Sequence, residues 1–409
     1  MKKSARPGSI LFVMIVLTFL ALPGCATLRH PVPQALVEKA TIDGMDEIRI
    51  IAGEKNTELQ ENLLKSIKQE SAGSWKKAYP ILAISGGAAD GAYGAGFLNG
   101  WSKEGSRPIF KIVTGVSTGA IIAPFAFLGS DYDDEIKTLF TTMSTKDAMV
   151  SQVPFGPLFG NSLASNRPLA RKLAAFYDDA LLAKIADQHK RGRRLFVGTV
   201  NLDAQRFVVW DMGAIAVRGD INLFRKVILA STSAPVMFSP VFFRVKADGK
   251  VYDEMHVDGG TLTQIFTTSY LLENMDAAVR IAGIDPSMIR PKLYLLLNGY
   301  VSPNYLKVRG GFSSIAERAV DTIIGAQSDG DLYRIYSYVS QNGGDFNLAF
   351  IPADFKPEKR EMFDRKEMNR LFERGYADAV GGYQWQKTPP LPVISKKDLS
   401  NIPQPSDRN

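Results

Sequence analysis

The chain has 409 residues, of which 45% are hydrophobic and 22% are charged, and its formal net charge is +7. These values are ordinary for a globular protein and exclude a largely disordered chain. The basic cluster at residues 190–194 has no interleaved aromatic residues, so we interpret it as a solvated helix end and expect no nucleic-acid partner. The single cysteine, Cys25, excludes an intramolecular disulfide and a zinc site built from several cysteines.

The first 25 residues resemble a bacterial lipoprotein signal. Lys2 and Lys3 precede an apolar run over residues 10–22, and Leu-Pro-Gly stands directly before Cys25. The apolar run is short for spanning about 30 Å of hydrocarbon, which disfavours an uncleaved transmembrane anchor. The resemblance implies that residues 1–24 are removed, that Cys25 is acylated, and that the protein is anchored in the bacterial cell envelope. Ala26, in place of Asp, implies the outer membrane if the host is Gram-negative.

Residues 25–75 are predicted to form a tether and an N-terminal accessory segment, with an edge strand over 46–51 and a helix over 57–71. The main domain is predicted to span residues 76–388. The proline-containing tail over 389–409 is expected to be poorly ordered.

Strands and helices alternate through the main domain. Strands are predicted at 81–85, 109–114, 195–200, 207–210, 241–245, 251–257 and 293–297. Helices are predicted after the glycine-rich loop over 86–96, after residue 117, after a cap at Ser130, as one long helix over 168–185, and at 224–230, 315–339 and 365–380. The alternation indicates a layered α/β fold, and the hairpin at 241–257 makes its sheet partly mixed.

Ser117 is the candidate nucleophile, because it lies in a Gly-x-Ser-x-Gly motif between a predicted strand and a predicted helix. Gly115 and Gly119 have no Cβ to collide with the flanking elements. The hydroxyl is expected at a helix N-terminus, where unpaired N–H groups favour developing negative charge. The motif alone is also compatible with an ordinary glycine-rich turn.

A serine nucleophile needs a base, and the chain has only three histidines. His30 lies in the tether and His189 at a helix end, which leaves His256 as the only candidate imidazole. Asp258 is the preferred base, because it ends a predicted strand and precedes Gly259 and Gly260, which permit a sharp turn. A carboxylate is intrinsically a weak base and needs desolvation and a strong oxyanion site.

The glycine-rich loop after the first strand of the main domain is the candidate oxyanion site. Its residues Gly86, Gly87 and Ala88 can direct backbone N–H groups at one point beside the N–H of Thr118. Alanine at position 88 costs little if its φ is negative. The loop lacks the spacing of a dinucleotide fingerprint and the Gly-Lys-Ser/Thr of a P-loop.

These motifs, in this order, resemble the patatin-like phospholipase family: a Gly-Gly loop with Gly91, Gly-x-Ser-x-Gly at Ser117, an Ala-Ser segment at residues 230–240, and Asp-Gly-Gly at Asp258. The resemblance covers residues 79–297. It implies a three-layer α/β/α fold with a central mixed, mostly parallel sheet, a patatin-like hydrolase domain over 76–388, and a Ser117–Asp258 dyad. It also implies acyl-ester hydrolysis of lipids or phospholipids, with no metal and no organic cofactor.

One position departs from the family pattern. Asp90 stands where many members of the family have Arg or Lys, which leaves the choice between a phospholipid and a neutral ester open. The Pro- and Phe-containing stretch at 151–165 is a candidate lining of the acyl pocket, or ordinary surface packing. The alternatives are an acyltransferase or a short-chain esterase on the same fold, and a non-catalytic envelope lipoprotein.

Overall fold

The computed structural model describes residues 29–42, 44–45, 47–52, 57–69, 79–151, 162–267, 271–285, 290–301, 307–308, 310–358 and 361–390. The predicted signal segment with Cys25, most of the stretch 151–165 and the tail beyond residue 390 lie outside these ranges. Within the ranges, no helix is both long enough and apolar enough to cross a bilayer.

One central sheet organises the described residues. Its strands are β1 (Arg49–Ile51), β2 (Tyr79–Ile84), β3 (Ile112–Val116), β6 (Arg194–Asn201), β7 (Arg206–Asp211), β8 (Val241–Ala247), β9 (Lys250–Asp258), β10 (Pro291–Leu297) and β11 (Asp345–Phe350), while β4 (Val150–Ser151) and β5 (Ala164–Ser165) pair separately. The order is β1-β7-β6-β3-β2-β10-β11, and the strands from β6 to β11 along this path are parallel. β1 and β7 are antiparallel additions at one side.

Helices cover both faces of the sheet. They are α1 (Thr57–Gln69), α2 (Gly91–Glu104), α3 (Thr118–Leu128), α4 (Asp133–Thr142), α5 (Thr145–Ala148), α6 (Arg167–Phe176), α7 (Asp179–Lys190), α8 (Met212–Val217), α9 (Ile221–Ser231), α10 (Glu273–Ile281), α11 (Phe312–Gln341) and α12 (Arg365–Val380). Side chains alternate along β2, where Leu82 and Ile84 face one core and Ile81 and Ala83 the other. The second core contains buried side chains of α1, α10 and α11. The predicted three-layer α/β/α fold is confirmed.

The ends of β3 and β9 meet on one edge of β6. Val116 pairs with Gly198 in parallel, and Asp258 pairs with the next residue, Thr199, in antiparallel. β7 occupies the other edge of β6 over residues 196–201. β9 therefore lies on the β3 side, and the two strands run toward each other. This register brings the residue after β3 next to the last residue of β9.

The predicted long helix over 168–185 is wrong, because it is two helices. Asp178 is extended, and its carboxylate accepts the N–H of Leu181 at 2.8 Å, which starts α7 as a new helix. Tyr177, between the helices, is buried and donates its hydroxyl hydrogen to the carbonyl oxygen of Ile121 at 2.7 Å. The buried tyrosine fixes the break.

One strand boundary and several elements differ from the sequence predictions. The strand expected from residue 109 begins at Ile112, and Ile109 is 79% exposed. β11 was not predicted, because the buried Asn347 interrupts its apolar pattern; the Asn347 amide donates to the carbonyl oxygen of Leu293 at 3.1 Å. α10 was also not predicted.

Candidate active site

Ser117 stands on a sharp turn between β3 and α3. Its φ of 53° and ψ of −123° form a conformation that costs a non-glycine residue about 1–3 kcal/mol. A Cβ on Gly119 would lie 2.2 Å from the carbonyl oxygen of Ile84, and one on Gly115 would lie 2.3 Å from the carbonyl oxygen of Gly119. Only glycine fits at both positions, so this turn requires the Gly-x-Ser-x-Gly spacing.

The hydroxyl of Ser231, the last residue of α9, holds this turn in place. It accepts the N–H of Ser117 at 2.9 Å and donates to the carbonyl oxygen of Gly198 at 2.7 Å. Ser231 is fully buried, so the two bonds satisfy backbone groups that water does not reach. The N–H of Ser117 is therefore not available to a substrate. The sequence analysis singled out this segment but gave Ser231 no role.

The carboxylate of Asp258, at the end of β9, is buried beside the Ser117 hydroxyl. It accepts a hydrogen bond from that hydroxyl and another from the N–H of Gly260 at 2.8 Å. Burial raises the pKa of Asp258 to about 7, although the two hydrogen bonds favour its ionised form and lower the pKa. A carboxylate with this pKa accepts a proton far more readily than an ordinary aspartate.

His256 is committed to a structural network. Its Nδ1 lies 2.9 Å from the hydroxyl oxygen of Thr199, and its Nε2 lies 3.1 Å from a carboxylate oxygen of Glu254. Glu254 in turn pairs with the buried guanidinium of Arg49. His256 is fully buried, and burial lowers the pKa of its imidazole. Both ring nitrogens of His256 are engaged in this network, and the imidazole does not contact Ser117. His256 is therefore a structural residue and not a candidate base in this geometry.

The glycine-rich loop after β2 faces Ser117. A Cβ on Gly86 would lie 3.1 Å from the Cβ of Ser117 and 3.7 Å from its Oγ. A short 3₁₀ helix starts at Ala88, and α3 starts at Thr118, so the N–H groups of Gly87, Ala88 and Thr118 precede or open a helix. Such groups have no partner within the helix. These three N–H groups are therefore the candidate donors of hydrogen bonds to an oxyanion.

Gly86 is a correction to the predicted set of donors. Its N–H donates to the carbonyl oxygen of Gln264 at 3.2 Å. What Gly86 contributes is the absence of a side chain: a Cβ there would lie 2.9 Å from Oε1 of Gln264 and would crowd Ser117. The residue permits the approach of the loop and is not itself an oxyanion donor.

Ala88 has a φ of 48°, so the expectation that it would have a negative φ is wrong. Two contacts hold the loop in this conformation. The hydroxyl of Thr118 donates to the carbonyl oxygen of Ala88 at 2.8 Å. Gly87, with a φ of 154°, lies so close to Asn298 that a Cβ would be 2.1 Å from its carbonyl oxygen. The left-handed turn at Ala88 is thus imposed by the packing on either side.

Asn298, which the sequence analysis missed, ties the loop to β10. Its N–H donates to the hydroxyl of Ser85 at 2.8 Å, its side-chain amide donates to the carbonyl oxygen of Ser85 at 2.9 Å, and its Oδ1 accepts the N–H of Gly94 at 3.1 Å. Its position directly after a buried strand was the available signal, because the carboxyl ends of parallel strands share one edge of the sheet.

Gln264 and Asp331 were also missed, and they hold the segment that follows Asp258. The side-chain amide of Gln264 donates to the carbonyl oxygen of Gly260 at 2.8 Å, and its backbone N–H donates to the carboxylate of Asp331 at 2.8 Å. Asp331 is buried on α11, and burial raises its pKa to about 6. The segment carries no motif, so nothing in the sequence indicated its contact with the loop.

The remaining predicted motif residues lie at close contacts. A Cβ on Gly91 would lie 1.8 Å from the side chain of Thr118. A Cβ on Gly259 would lie 2.5 Å from a backbone carbonyl oxygen, and one on Gly260 would lie 2.5 Å from the side-chain amide of Gln264. Among the described residues, no group of three or more His, Cys, Asp or Glu side chains is placed to hold a metal ion. Cys25 lies outside those residues.

Among the comparisons with known proteins, the match to a family model covers both Ser117 and Asp258. Residues 82–271 match the family model described as patatin-like phospholipase. Among solved structures, the chain is similar to VipD from Legionella pneumophila, with 12% identity, 89% of this chain and 72% of that chain covered, and a TM-score of 0.35. No curated protein matches the sequence.

Proposed function

We propose that this chain, whose residues 82–271 carry a patatin-like phospholipase domain, is a lipid acyl-ester hydrolase with Ser117 as nucleophile and Asp258 as base. The observation that supports the proposal best is the hydrogen bond between the Ser117 hydroxyl and a buried carboxylate whose pKa is about 7. The family match supports lipid acyl hydrolysis in general. The dyad and the substrate class are our inference from the site.

The reaction would proceed in two halves. Oγ of Ser117 attacks the ester carbonyl carbon while Asp258 takes the hydroxyl proton. The N–H groups of Gly87, Ala88 and Thr118 bind the oxyanion of the tetrahedral intermediate. The intermediate collapses, the alcohol leaves with the proton from Asp258, and an acyl-Ser117 ester remains. Water then attacks this ester as Asp258 takes its proton, and collapse returns the proton to Ser117 and releases the acid.

A fluorophosphonate probe tests the nucleophile. The wild-type chain should be labelled covalently, and Ser117→Ala should not be labelled. Ser130→Ala, a change at an exposed serine away from the site, should react like wild type. Equal labelling of wild type and Ser117→Ala would remove Ser117 as nucleophile, and the absence of labelling in both would leave the non-catalytic alternative.

The substrate class is a second part of the proposal. Asp90 places a negative charge in the oxyanion loop, which favours a substrate whose ester lies far from its anionic group or that has no such group. Profiling rates on phosphatidylcholine, a neutral long-chain ester and short soluble esters separates a lipid hydrolase from a short-chain esterase. A product in which the acyl group joins an added alcohol, in excess of free acid, would indicate an acyltransferase.

Anchoring in the cell envelope is proposed from the sequence alone. Leu-Pro-Gly before Cys25, after a short apolar run, is typical of a lipoprotein signal. In a bacterial host, alkyne-labelled palmitate should be incorporated into the wild-type chain and not into Cys25→Ser. Incorporation into both would exclude Cys25 as the acylated residue.

A further inference from the structure

Helix α11 is much longer than the strand beside it. The helix connects the parallel strands β10 and β11, so it runs from the carboxyl edge of the sheet back to the amino edge. β11 has six residues and spans about 20 Å, which about 13 helical residues would cover. α11 has 30 residues. Its first half therefore extends roughly 25 Å beyond the carboxyl edge.

The extended half carries an exposed apolar face. Among the side chains of this half that the structure describes, four large apolar ones are 37–65% exposed: Ile315, Val320, Ile323 and Ile324. The C-terminal half is instead packed, through Leu332, Ile335 and Val339. At 100° per residue, the centre of the exposed set is about 125° around the helix from the centre of the packed set. Ile324 lies near the packed side, but Ile315 and Ile323 are not a continuation of the packed face and point away from the sheet.

This half of α11 lies on the same edge as the candidate active site. Ser117 follows the carboxyl end of β3, which is parallel to β10. Asp331, where α11 reaches the sheet, bonds to Gln264 beside the oxyanion loop. Leu262, three residues after Gly259, is 39% exposed on that edge as well. Exposed apolar side chains of α11 and Leu262 therefore lie on the edge of the sheet that carries Ser117.

The start of the described chain is on that edge too. Arg29 binds the carboxylate of Asp203 with two hydrogen bonds of 2.7 and 2.6 Å. Asp203 lies in the turn between β6 and β7, at the carboxyl end of β6, which is parallel to β3. Three residues lie between Cys25 and Arg29, so four steps along the chain join their Cα atoms, which are at most about 14 Å apart. An acylated Cys25 would hold this edge close to the bilayer.

We infer that the carboxyl edge of the sheet docks on a lipid bilayer and that the exposed face of α11 inserts among the lipids. The inference rests on the proposed function, because it identifies the bilayer as the source of the substrate. It explains why an apolar face and Arg29, four positions after Cys25, both lie on the edge of the sheet that carries Ser117. The tether length favours a bilayer over a second copy, because a copy seated on the edge would separate Ser117 from the membrane that holds Cys25.

A single labelled position can test the docking. Cys25 is the only cysteine, so Cys25→Ser combined with Ile323→Cys gives one site for an environment-sensitive dye. The matched control is Cys25→Ser with Ile281→Cys. Ile281 is 62% exposed at the end of α10, a helix that returns to the amino edge. Adding phosphatidylcholine vesicles should shift the emission of the 323 label to shorter wavelength and leave that of the 281 label unchanged.

Both labelled chains carry the same Cys25→Ser change, so a difference between their emission shifts reports only which edge of the sheet contacts the lipid. Equal responses, or none, would overturn the docking. A response of the 323 label that grows with protein concentration in the absence of lipid would assign the face to a second copy and would also overturn it.

A second measurement uses activity. Ile315→Glu with Ile323→Glu should lower hydrolysis of vesicle lipid by about tenfold per residue or more, and leave a short soluble ester unaffected. The control pair, Ile109→Glu with Ile281→Glu, changes the same residue type at the opposite edge and should alter neither rate. Ser117→Ala should keep the lipid response of the 323 label. If the wild type hydrolyses no ester but its label responds, the proposed function fails and the docking stands.

Discussion

Replacing Asp258 with Asn should abolish hydrolysis and should make the stability advantage of the variant over wild type grow as the pH rises. The pKa of Asp258 is raised from 3.8 to about 7 by burial, so between those values the folded chain keeps a proton that the unfolded chain has released. Stability therefore falls as the pH rises through this window. At 1.36 kcal/mol per pKa unit, the full effect is about 4 kcal/mol above pH 7, and less than half of it, roughly 2 kcal/mol, is present at pH 5.

Asparagine removes this pH dependence and keeps most of the contacts. Its Oδ1 can accept the N–H of Gly260, and its amide can donate to Oγ of Ser117. Other effects of the substitution do not depend on pH. The difference in the free energy of unfolding between Asp258→Asn and wild type should thus grow by about 2–3 kcal/mol from pH 5 to pH 8.

The assay is urea unfolding followed by tryptophan fluorescence at several pH values. Ser117→Ala is the control, because it is expected to be inactive but retains the carboxylate and should therefore keep a wild-type-like loss of stability with pH. If the curves for Asp258→Asn and wild type run parallel between pH 5 and pH 8, the carboxylate is not held protonated by the fold, and the argument for its basicity is refuted.

Two further predictions concern the neighbours of the dyad. In wild type, kcat/KM should rise with pH through about 7 as Asp258 ionises. His256→Gln should keep the midpoint of this rise and lower only the stability of the protein. If the midpoint disappears in His256→Gln, the imidazole is the base. Ser231→Ala leaves the N–H of Ser117 unpaired, so it should cost about 1–3 kcal/mol of stability and lower kcat. Ser66→Ala, at another buried and hydrogen-bonded serine, should lower stability without lowering kcat.

The turn at Ser117 could be predicted because its determinants are local. Strand, turn and helix follow one another within about twenty residues, and the glycines at 115 and 119 are the signature of the close approach. Asp258 lies 141 positions farther along the chain, and a register on β6 brings it to Ser117. Its choice over His256 came from the following Gly259 and Gly260 and was then supported by the order of motifs in the family, but the contact itself could not be read from the sequence.

The loop conformation and the extent of α11 could not be read from the sequence for a different reason. The φ of Ala88 depends on contacts with Thr118 and Asn298, and the latter is more than 200 residues away. In α11, apolar residues recur from Ile315 to Val339, which predicts a helix but not the rotation between its two faces. The length of the neighbouring strand decides where packing ends, and that strand was not predicted.

The energetically unfavourable features described above, backbone strain and a buried carboxyl group, lie together around Ser117. Ser117 and Ala88 both have positive φ values, and Asp258 is a carboxyl group buried against its ordinary ionisation. Each feature is held by a side chain from elsewhere in the chain, such as Ser231 for the turn and Asn298 for the loop. A fold selected for stability alone would not concentrate strain and desolvation around one hydroxyl. Their coincidence therefore argues that the site is maintained for chemistry, which a vestigial site on an envelope lipoprotein would not require.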